Sequence, residues 1–147
     1  MQQIKGEFLL TDDRSKMQVE EIQAYLSRSY WAENIPIKTV KKSIAHSHCF
    51  GIFHHERQIA FARVITDYAT YGYLADVYVL EEYRKRGLSK WMMQCIMEHP
   101  QLQGFRKWML GTRDAHGLYA KFGFAPVKNP ERIMHIRVEG IYRKTQP

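Results

Sequence analysis

Residues 73–99 read YLADVYVLEEYRKRGLSKWMMQCIMEH, and this stretch decides the fold of the chain. Its first eight residues are mostly apolar and rich in β-branched and aromatic side chains, which is typical of a strand buried on both faces. Its last part places apolar residues at helical spacing and stops just before Pro100, as a helix does. The stretch therefore predicts a strand and a helix that are joined by a short basic loop containing Gly87.

This basic loop has the composition of an anion-binding site. It contains Arg84, Lys85 and Arg86, and Gly87 stands where the helix is expected to begin. Free backbone N–H groups converge at a helix N-terminus, and the helix dipole adds positive potential there. No Gly-Lys-Ser/Thr follows, and the glycine pattern of a dinucleotide fold is absent. We therefore expect a phosphate or pyrophosphate ligand of another kind.

Two motifs resemble the signatures of the GNAT family of N-acetyltransferases. Residues 84–89 fit Arg-x-x-Gly-x-Ser, which is similar to the family's pyrophosphate loop, Arg/Gln-x-x-Gly-x-Gly/Ala. Residues 74–79 resemble the strand before that loop. Residues 112–124, TRDAHGLYAKFGF, resemble the second signature, Asn-x-x-Ala-x-x-x-Tyr-x-x-x-Gly-Phe, although Ser89 and Thr112 depart from the usual residues. Two signatures in the family's order are more specific than either alone.

The resemblance implies acetyl-CoA as cosubstrate and a set of residues that contact it. Tyr119 matches the family's tyrosine that protonates the leaving thiolate, so it is the expected general acid; the alternative is a core aromatic on an amphipathic helix. A bulge near residues 76–79 would leave backbone N–H groups free for the cosubstrate and its developing oxyanion. The expected contacts to coenzyme A are Val77, Tyr78, Val79, Arg84, Lys85, Arg86, Gly87, Leu88, Ser89, Thr112 and Ala115.

The general base and the acceptor pocket have alternative interpretations. Tyr73 occupies the position where many relatives carry a glutamate base. Asp76 lies inside an apolar strand, where a carboxylate is costly unless it is paired or functional. It accepts the proton of the amine, or it only orients a cationic substrate, or it forms an ion pair with Arg63, which is itself an expected substrate residue. Tyr30 and Trp31 either contact the substrate or close their loop as a hydrophobic plug.

Composition favours one packed domain. The chain has 147 residues, of which 45% are hydrophobic and 13% aromatic, so we expect a single N-acetyltransferase domain over residues 1–147 with a frayed tail at 139–147. The net charge of +7 suits anionic ligands, but no recognition helix or stacking platform favours nucleic acid. No apolar run approaches a membrane span, and the chain starts without an apolar signal region. We expect no membrane partner and a cytoplasmic location, with Cys49 and Cys95 reduced.

The periodicity predicts the element order β-α-α-β-β-β-α-β-α-β-β. This order fits an α/β (α+β) fold, in which a mixed, mainly antiparallel sheet is flanked by helices on both faces, as the resemblance implies. The predictions that the structure tests most directly are a strand over 4–11, a helix that starts near Lys16 behind a Ser15-x-x-Gln18 capping box, Asp114 as the N-cap of a later helix, and late strands over 124–127 and 133–138.

Several histidines have metal-ligand residue types. They are His46, His48, His54 and His55, and Cys49 lies among them. Their spacing fits no common structural zinc pattern, so we expect edge and turn histidines and no metal.

The function that the sequence predicts is acetyl transfer from acetyl-CoA to a primary amine of a small molecule. The expected mechanism is direct attack in a ternary complex, because the family resemblance supplies a proton donor for the leaving thiolate. The alternatives are an N-acetyltransferase acting on a protein or peptide, and an acyl-CoA-binding module without catalysis. A homodimer is compatible with each.

Overall fold

A six-stranded mixed sheet forms the centre of the chain. In a computed structural model, which describes residues 1–143, the strands are β1 (Gln2–Lys5), β2 (Phe8–Thr11), β3 (His48–His54), β4 (Arg57–Thr66), β5 (Tyr71–Val79) and β6 (Lys107–Met109). They lie across the sheet in chain order. All neighbours are antiparallel except the parallel pair β5–β6. The mixed, mainly antiparallel sheet predicted from the sequence is therefore confirmed.

Helices cover both faces of this sheet, as predicted. They are α1 (Val19–Leu26), α2 (Ile37–Ala45), α3 (Leu88–Glu98) and α4 (His116–Ala120). Phe50 and Gly51 are consecutive in β3, so their side-chain directions point to opposite faces. A Cβ on Gly51 would lie 3.1 Å from Met17 Sδ, just before α1. The ring of Phe50 lies 5.7 Å from that of His99, just after α3.

The core lies on both sides of β3 and β4. These strands are continuous apolar runs rather than alternating ones, because neither face of the sheet is solvated there. Phe50 and Phe61 are fully enclosed. Truncating either ring to alanine removes about 3–5 kcal/mol of stability, because the lost apolar contact is accompanied by a cavity.

The N-terminal strand prediction is wrong in one respect. Residues 4–11 do not form one strand, because β1 and β2 pair as a hairpin around a two-residue turn at Gly6 and Glu7. Gly6 has a φ of 60°, which suits the first central position of a tight hairpin turn. A single glycine in an otherwise strand-like segment was the signal for this turn.

The first helix also begins later than predicted. The Ser15-x-x-Gln18 capping box, which predicted a helix from Lys16, does not form. Instead, Asp13 Oδ1 accepts the N–H of Ser15 at 3.0 Å and holds a short 3₁₀ turn. Gln18 exchanges hydrogen bonds of 2.8 and 2.9 Å with Gln58 of β4, so it ties the chain to the sheet instead of capping the helix.

The late strands are the largest error in the sequence-based secondary structure. Within residues 1–143, neither 124–127 nor 133–138 pairs as a strand, and a 3₁₀ turn at Pro130–Arg132 separates them. Met134 and Ile136 are more than nine-tenths exposed. The predicted tail is hydrogen-bonded at Gly140, whose carbonyl accepts the N–H of Arg143. Residues 144–147 lie outside the described part of the chain.

A bulge in β5 and the short pairing of β6 open the sheet at one end. Between the pairs Phe61–Tyr78 and Arg63–Ala75, β5 contains one residue more than β4. The predicted bulge is therefore present, and Asp76 within it has a φ of +54°. The parallel pairing of β5 with β6 ends at Tyr73, so the two strands separate beyond that residue.

Candidate active site

A cleft of about 900 Å³ lies where β5 and β6 separate. Five parts of the chain form its walls: the loop between α1 and α2, the end of β4, strand β5, the segment from β6 into α4, and the C-terminal segment. The lining includes Tyr30, Trp31, Arg63, Tyr73, Leu74, Ala75, Asp76, Val77, Leu110, Gly111, Thr112, Arg113, Asp114, Ala115, Tyr119, His135, Arg137 and Tyr142. The cleft therefore brings together the predicted substrate residues, the predicted acid and part of the predicted cosubstrate contacts.

The carboxylate of Asp76 is fully engaged by its neighbours. Arg63 Nε donates to Asp76 Oδ2 at 2.6 Å, and Trp31 Nε1 donates to Oδ1 at 2.8 Å. The side chains of the ion pair are only 16% and 9% exposed. Of the two interpretations of Asp76, the geometry favours the ion pair with Arg63. Its consequence is that Trp31 and Arg63 are held at fixed positions in the cleft wall.

Tyr119 is a buried tyrosine in the last turn of α4, the helix of the second signature. Its side chain is 8% exposed, and its hydroxyl makes no hydrogen bond to the described residues. Burial, with smaller contributions from Tyr30 and Asp114, raises the pKa of Tyr119 to about 12. The phenol therefore stays protonated at neutral pH and is available as a hydrogen-bond donor to a group in the cleft.

The loop before α3 presents unpaired backbone N–H groups. Within the described residues, none of the N–H groups from Lys85 to Lys90 donates a hydrogen bond. Gly87 has a φ of 76°, and a Cβ there would meet nothing within 4 Å. Leu88 is buried and anchors the helix start, whereas Ser89 is half-buried. The loop thus presents the free backbone donors that anion binding at a helix start requires.

The three basic residues of this loop point in different directions. Arg84 is half-exposed and lies along the protein surface, where Nε donates to the carbonyl of Val79 at 3.0 Å and Nη2 to the hydroxyl of Tyr25 at 2.9 Å. Arg86 lies 5.5 Å from the ring of Tyr83, and Lys85 is exposed. Arg84 therefore fastens the loop to the end of β5, and Lys85 and Arg86 remain toward solvent.

Of the three β5 residues that were predicted to contact coenzyme A through their backbone, one lines the cleft and two do not. Val77 lies in the bulge and lines the cleft. Tyr78 and Val79 pair with Phe61 and Ala60 of β4, beyond the lining of the cleft. The phenol oxygen of Tyr78 is buried without a partner, so this side chain belongs to the core.

The start of α4 is capped differently from the prediction. Asp114 is not the N-cap, because Ala115 occupies that position and its N–H donates to Thr112 Oγ1 at 3.0 Å. The hydroxyl of Thr112 therefore closes the turn, a role that was predicted for Asp114. The carboxylate of Asp114 is left free in the cleft wall.

Five polar or charged residues of the cleft were not among the predicted site residues. Arg113 and Asp114 lie inside the second signature, so their position next to Thr112 was an available signal. His135, Arg137 and Tyr142 come from the segment that was predicted as a strand and tail, where no motif marks them.

Four of the histidines gather in two places outside the cleft lining, whereas His135 lies in that lining. Asp12 Oδ2 accepts from His48 Nε2 at 2.8 Å and from His99 Nε2 at 2.7 Å. Because His99 Nδ1 accepts the N–H of Gln101, the proton of this ring lies on Nε2, which is then a donor and not a metal ligand. The second group, with atoms close enough to share an ion, contains Glu7, His54 and His55.

Comparison with known proteins identifies the family. The family model for the acetyltransferase (GNAT) family matches residues 12–124, which is more than half of the chain. This chain belongs to the GNAT acetyltransferase family. Its fold class, its family and its assignment as an acetyltransferase therefore agree with the sequence-based predictions.

Individual GNAT relatives agree with this assignment. FG08082 of Gibberella zeae, provisionally named as an acetyltransferase, is 32% identical, and the match covers 80% of this chain and 78% of the relative. The crystal structure of xcc2953 from Xanthomonas campestris pv. campestris, provisionally named as a GNAT acetyltransferase, has 48% identity and a TM-score of 0.91; the match covers 93% of this chain and 97% of that one. SA2161 of Staphylococcus aureus shares the fold at 23% identity and a TM-score of 0.75, over 89% of this chain and 99% of that one.

The helices of this GNAT chain are short. Among residues 1–143, none has the combination of length and apolar composition that crossing a membrane requires.

Proposed function

We propose that the protein transfers the acetyl group of acetyl-CoA to a primary amine of a small molecule. The observation that carries this proposal is that Tyr119 and the bulged part of β5 line the same cleft. A proton donor and unpaired backbone groups then lie on the two sides of one space. A thioester carbonyl and its sulfur need these two kinds of group during acyl transfer.

The loop before α3 fits the pyrophosphate of coenzyme A. Its unpaired N–H groups from Lys85 to Lys90 match the acceptor oxygens of a diphosphate, and Gly87 leaves room for close approach. Lys85 and Arg86 add positive charge at the solvent side. When bound, acetyl-CoA supplies an activated acetyl group as a thioester, and the residues of the chain orient it.

The chemical step forms a C–N bond and breaks a C–S bond. The amine attacks in its neutral form, so its ammonium must first lose a proton. The backbone N–H of Val77 stabilises the negative charge on the carbonyl oxygen, and Tyr119 donates its proton to the departing thiolate. The cationic nitrogen loses its second proton to solvent as the C–S bond breaks, and solvent returns a proton to the phenolate. The net products are an acetamide, free coenzyme A and one proton.

The position of the two cysteines and the raised pKa of Cys49 favour direct transfer within a ternary complex over an acyl-cysteine intermediate. Neither Cys49 nor Cys95 lines the cleft. Burial raises the pKa of Cys49 to about 11, so its thiol is almost entirely protonated at neutral pH. An acyl-cysteine intermediate would need a thiolate beside the thioester, which these two residues do not provide.

A small acceptor suits the shape of the cleft better than a protein segment. The volume of about 900 Å³ falls within the range of small-molecule sites, and residues of the C-terminal segment form one of the walls. The cytoplasmic location remains a prediction.

The exposed apolar side chains of Met134 and Ile136 favour a homodimer, which light scattering in solution tests directly.

The experiment that tests this function is a thiol-release assay with acetyl-CoA and panels of primary amines and peptides. We expect release with a subset of small amines, and mass spectrometry should show the acetylated amine. Release with peptides alone would favour the protein acceptor. Tight binding of acetyl-CoA without release for any amine would identify a binding module instead.

A further inference from the structure

Arg113 and Tyr30 join two loops across the top of the cleft. The guanidinium carbon of Arg113 lies 4.0 Å from the centroid of the Tyr30 ring, and the Arg113 backbone N–H donates to the Tyr30 hydroxyl at 3.1 Å. Tyr30 comes from the loop between α1 and α2, and Arg113 from the loop between β6 and α4. This double contact holds the guanidinium over the ring within the cleft wall.

Arg113 is the cleft arginine whose charge is left without a partner. Arg63 is paired with Asp76, and Arg137 with Glu139 at 3.3 Å. Within residues 1–143, Arg113 has no carboxylate within 4.0 Å and its guanidinium donates no hydrogen bond. Stacking uses the face of a guanidinium and leaves its N–H edge free, and that edge fits a carboxylate or phosphate bidentately.

The neighbouring residue supplies the opposite charge. The carboxylate of Asp76 is already used twice, whereas that of Asp114 makes no hydrogen bond or ion pair with the described residues. Asp114 does not cap α4, and it lines the same cleft as Tyr119. A free carboxylate at this position attracts an ammonium group close to the proposed proton donor.

We propose that the acceptor is a small zwitterion: a primary amine that also carries an anionic group, such as a carboxylate or phosphate. Arg113 binds the anionic group, and Asp114 binds the ammonium before it loses its proton. Both are specificity-determining residues. This inference rests on the proposed acetyl transfer to a small amine and adds the charge pattern of that amine.

Matched pairs of acceptors test the charge requirement. Each pair consists of an amino acid and the amino alcohol that lacks only its charge, for example β-alanine and 3-amino-1-propanol. We expect a higher kcat/KM for the acid. Arg113→Gln should lower kcat/KM for the acid about 10- to 100-fold, mainly through KM, and lower that of the alcohol far less. Asp114→Asn should lower both alike, since both carry an ammonium.

The control variant is Arg132→Gln, which removes an exposed arginine outside the cleft lining and should leave the ratio of acid to alcohol unchanged. Equal turnover of acids and alcohols by the unaltered protein, or an equal effect of Arg113→Gln on both, overturns this inference alone. No thiol release with any amine, while calorimetry shows that coenzyme A binds, overturns the proposed function and the inference with it.

Discussion

The guanidinium of Arg84 donates to the hydroxyl of Tyr25 at 2.9 Å, so helix α1 is tied directly to the loop that precedes α3. A second bond, from Arg84 Nε to the Val79 carbonyl, fastens the same side chain to the end of β5. Arg84 therefore holds the loop in shape, while Lys85 is free to meet a ligand.

Variants at Arg84 and Lys85 should separate the stabilisation of the loop from direct contact with the ligand. Arg84→Ala should lower the free energy of unfolding by about 1–2 kcal/mol and weaken coenzyme A binding, because two hydrogen bonds that anchor the loop are lost. Lys85→Ala should weaken binding about tenfold without a change in stability. Urea unfolding and calorimetry measure both quantities. Unchanged stability of Arg84→Ala would contradict its anchoring role.

Gly87→Asp should abolish coenzyme A binding, because it introduces a side chain and a negative charge where N–H groups are unpaired. Gly6→Asp is the matched control: Gly6 also has a positive φ, of 60°, and open space at Cβ, but it lies in the β1–β2 turn. Both variants should lose about 1 kcal/mol of stability from backbone strain. Calorimetric titration that finds similar affinity for the two proteins would remove the loop from the binding site.

Tyr119→Phe should keep the affinity for coenzyme A and lower kcat roughly tenfold to a thousandfold, because a single proton donor is removed. Steady-state thiol release and calorimetry provide the two readouts. Tyr142→Phe serves as the control, since this tyrosine lines the same cleft but has no proposed role in proton transfer. Equal losses in the two variants would rule out Tyr119 as the acid.

The ion pair of Asp76 with Arg63 predicts a stability effect. Asp76→Asn should cost about 3 kcal/mol, because it leaves a largely buried guanidinium without its counter-charge. Arg63→Met in the same protein should restore most of this loss. If chemical denaturation shows no such rescue, while kcat falls and its pH profile shifts, Asp76 acts on the substrate and the ion-pair interpretation is wrong.

Acid should destabilise the protein in two steps that trace to Asp12 and His48. Burial lowers the pKa of His48 below 6.5, and the hydrogen bond that its Nε2 donates to Asp12 offsets this only in part. The unfolded chain then binds more protons, so stability that is complete above pH 6.5 falls as the pH drops through this range. Burial raises the pKa of Asp12, but hydrogen bonds from the Met1 amino group, His48 and His99 lower it more and hold it at about 2. The stability that this carboxylate contributes is therefore lost in a second step, between pH 3.8 and 2.

Urea unfolding at a series of pH values measures these steps. His48→Gln should flatten the curve between pH 7 and 5, because the group that titrates there is removed. His46→Gln, a change at an exposed histidine two residues away, should leave the curve unaltered. A flat curve for the unaltered protein would show that His48 is not held neutral by the fold.

Most of the sheet and the basic loop before α3 could be predicted from the sequence, because the signals for them are local. An apolar run followed by a basic glycine loop and an amphipathic helix specifies β5, the loop and α3 without reference to the rest of the chain. The bulge was expected from family resemblance alone, since the residue with positive φ is Asp76 and not a glycine.

The errors arise where a long-range partner decides the outcome. Gln18 is drawn to Gln58, forty residues away, so the local capping pattern does not act. Likewise, the alternating pattern of 133–138 is a strand signal, but no neighbouring strand of the described chain pairs with it. Asp114 is the exception, with a local cause: Ala115 occupies the cap position of α4, and the hydroxyl of Thr112, three residues earlier, accepts its N–H. Local patterns state what a segment can form, and the available partners decide what it does form.

Strands β5 and β6 share only three residue pairs, Tyr71–Lys107, Gly72–Trp108 and Tyr73–Met109. The cleft wall that follows β6 is therefore attached to the rest of the sheet by few backbone hydrogen bonds. Local opening of this attachment costs far less than unfolding the β3–β4–β5 block. Amide hydrogen exchange should accordingly run at two rates, fast beyond residue 107 and slow in the block, so an acceptor can enter while the rest of the molecule stays rigid.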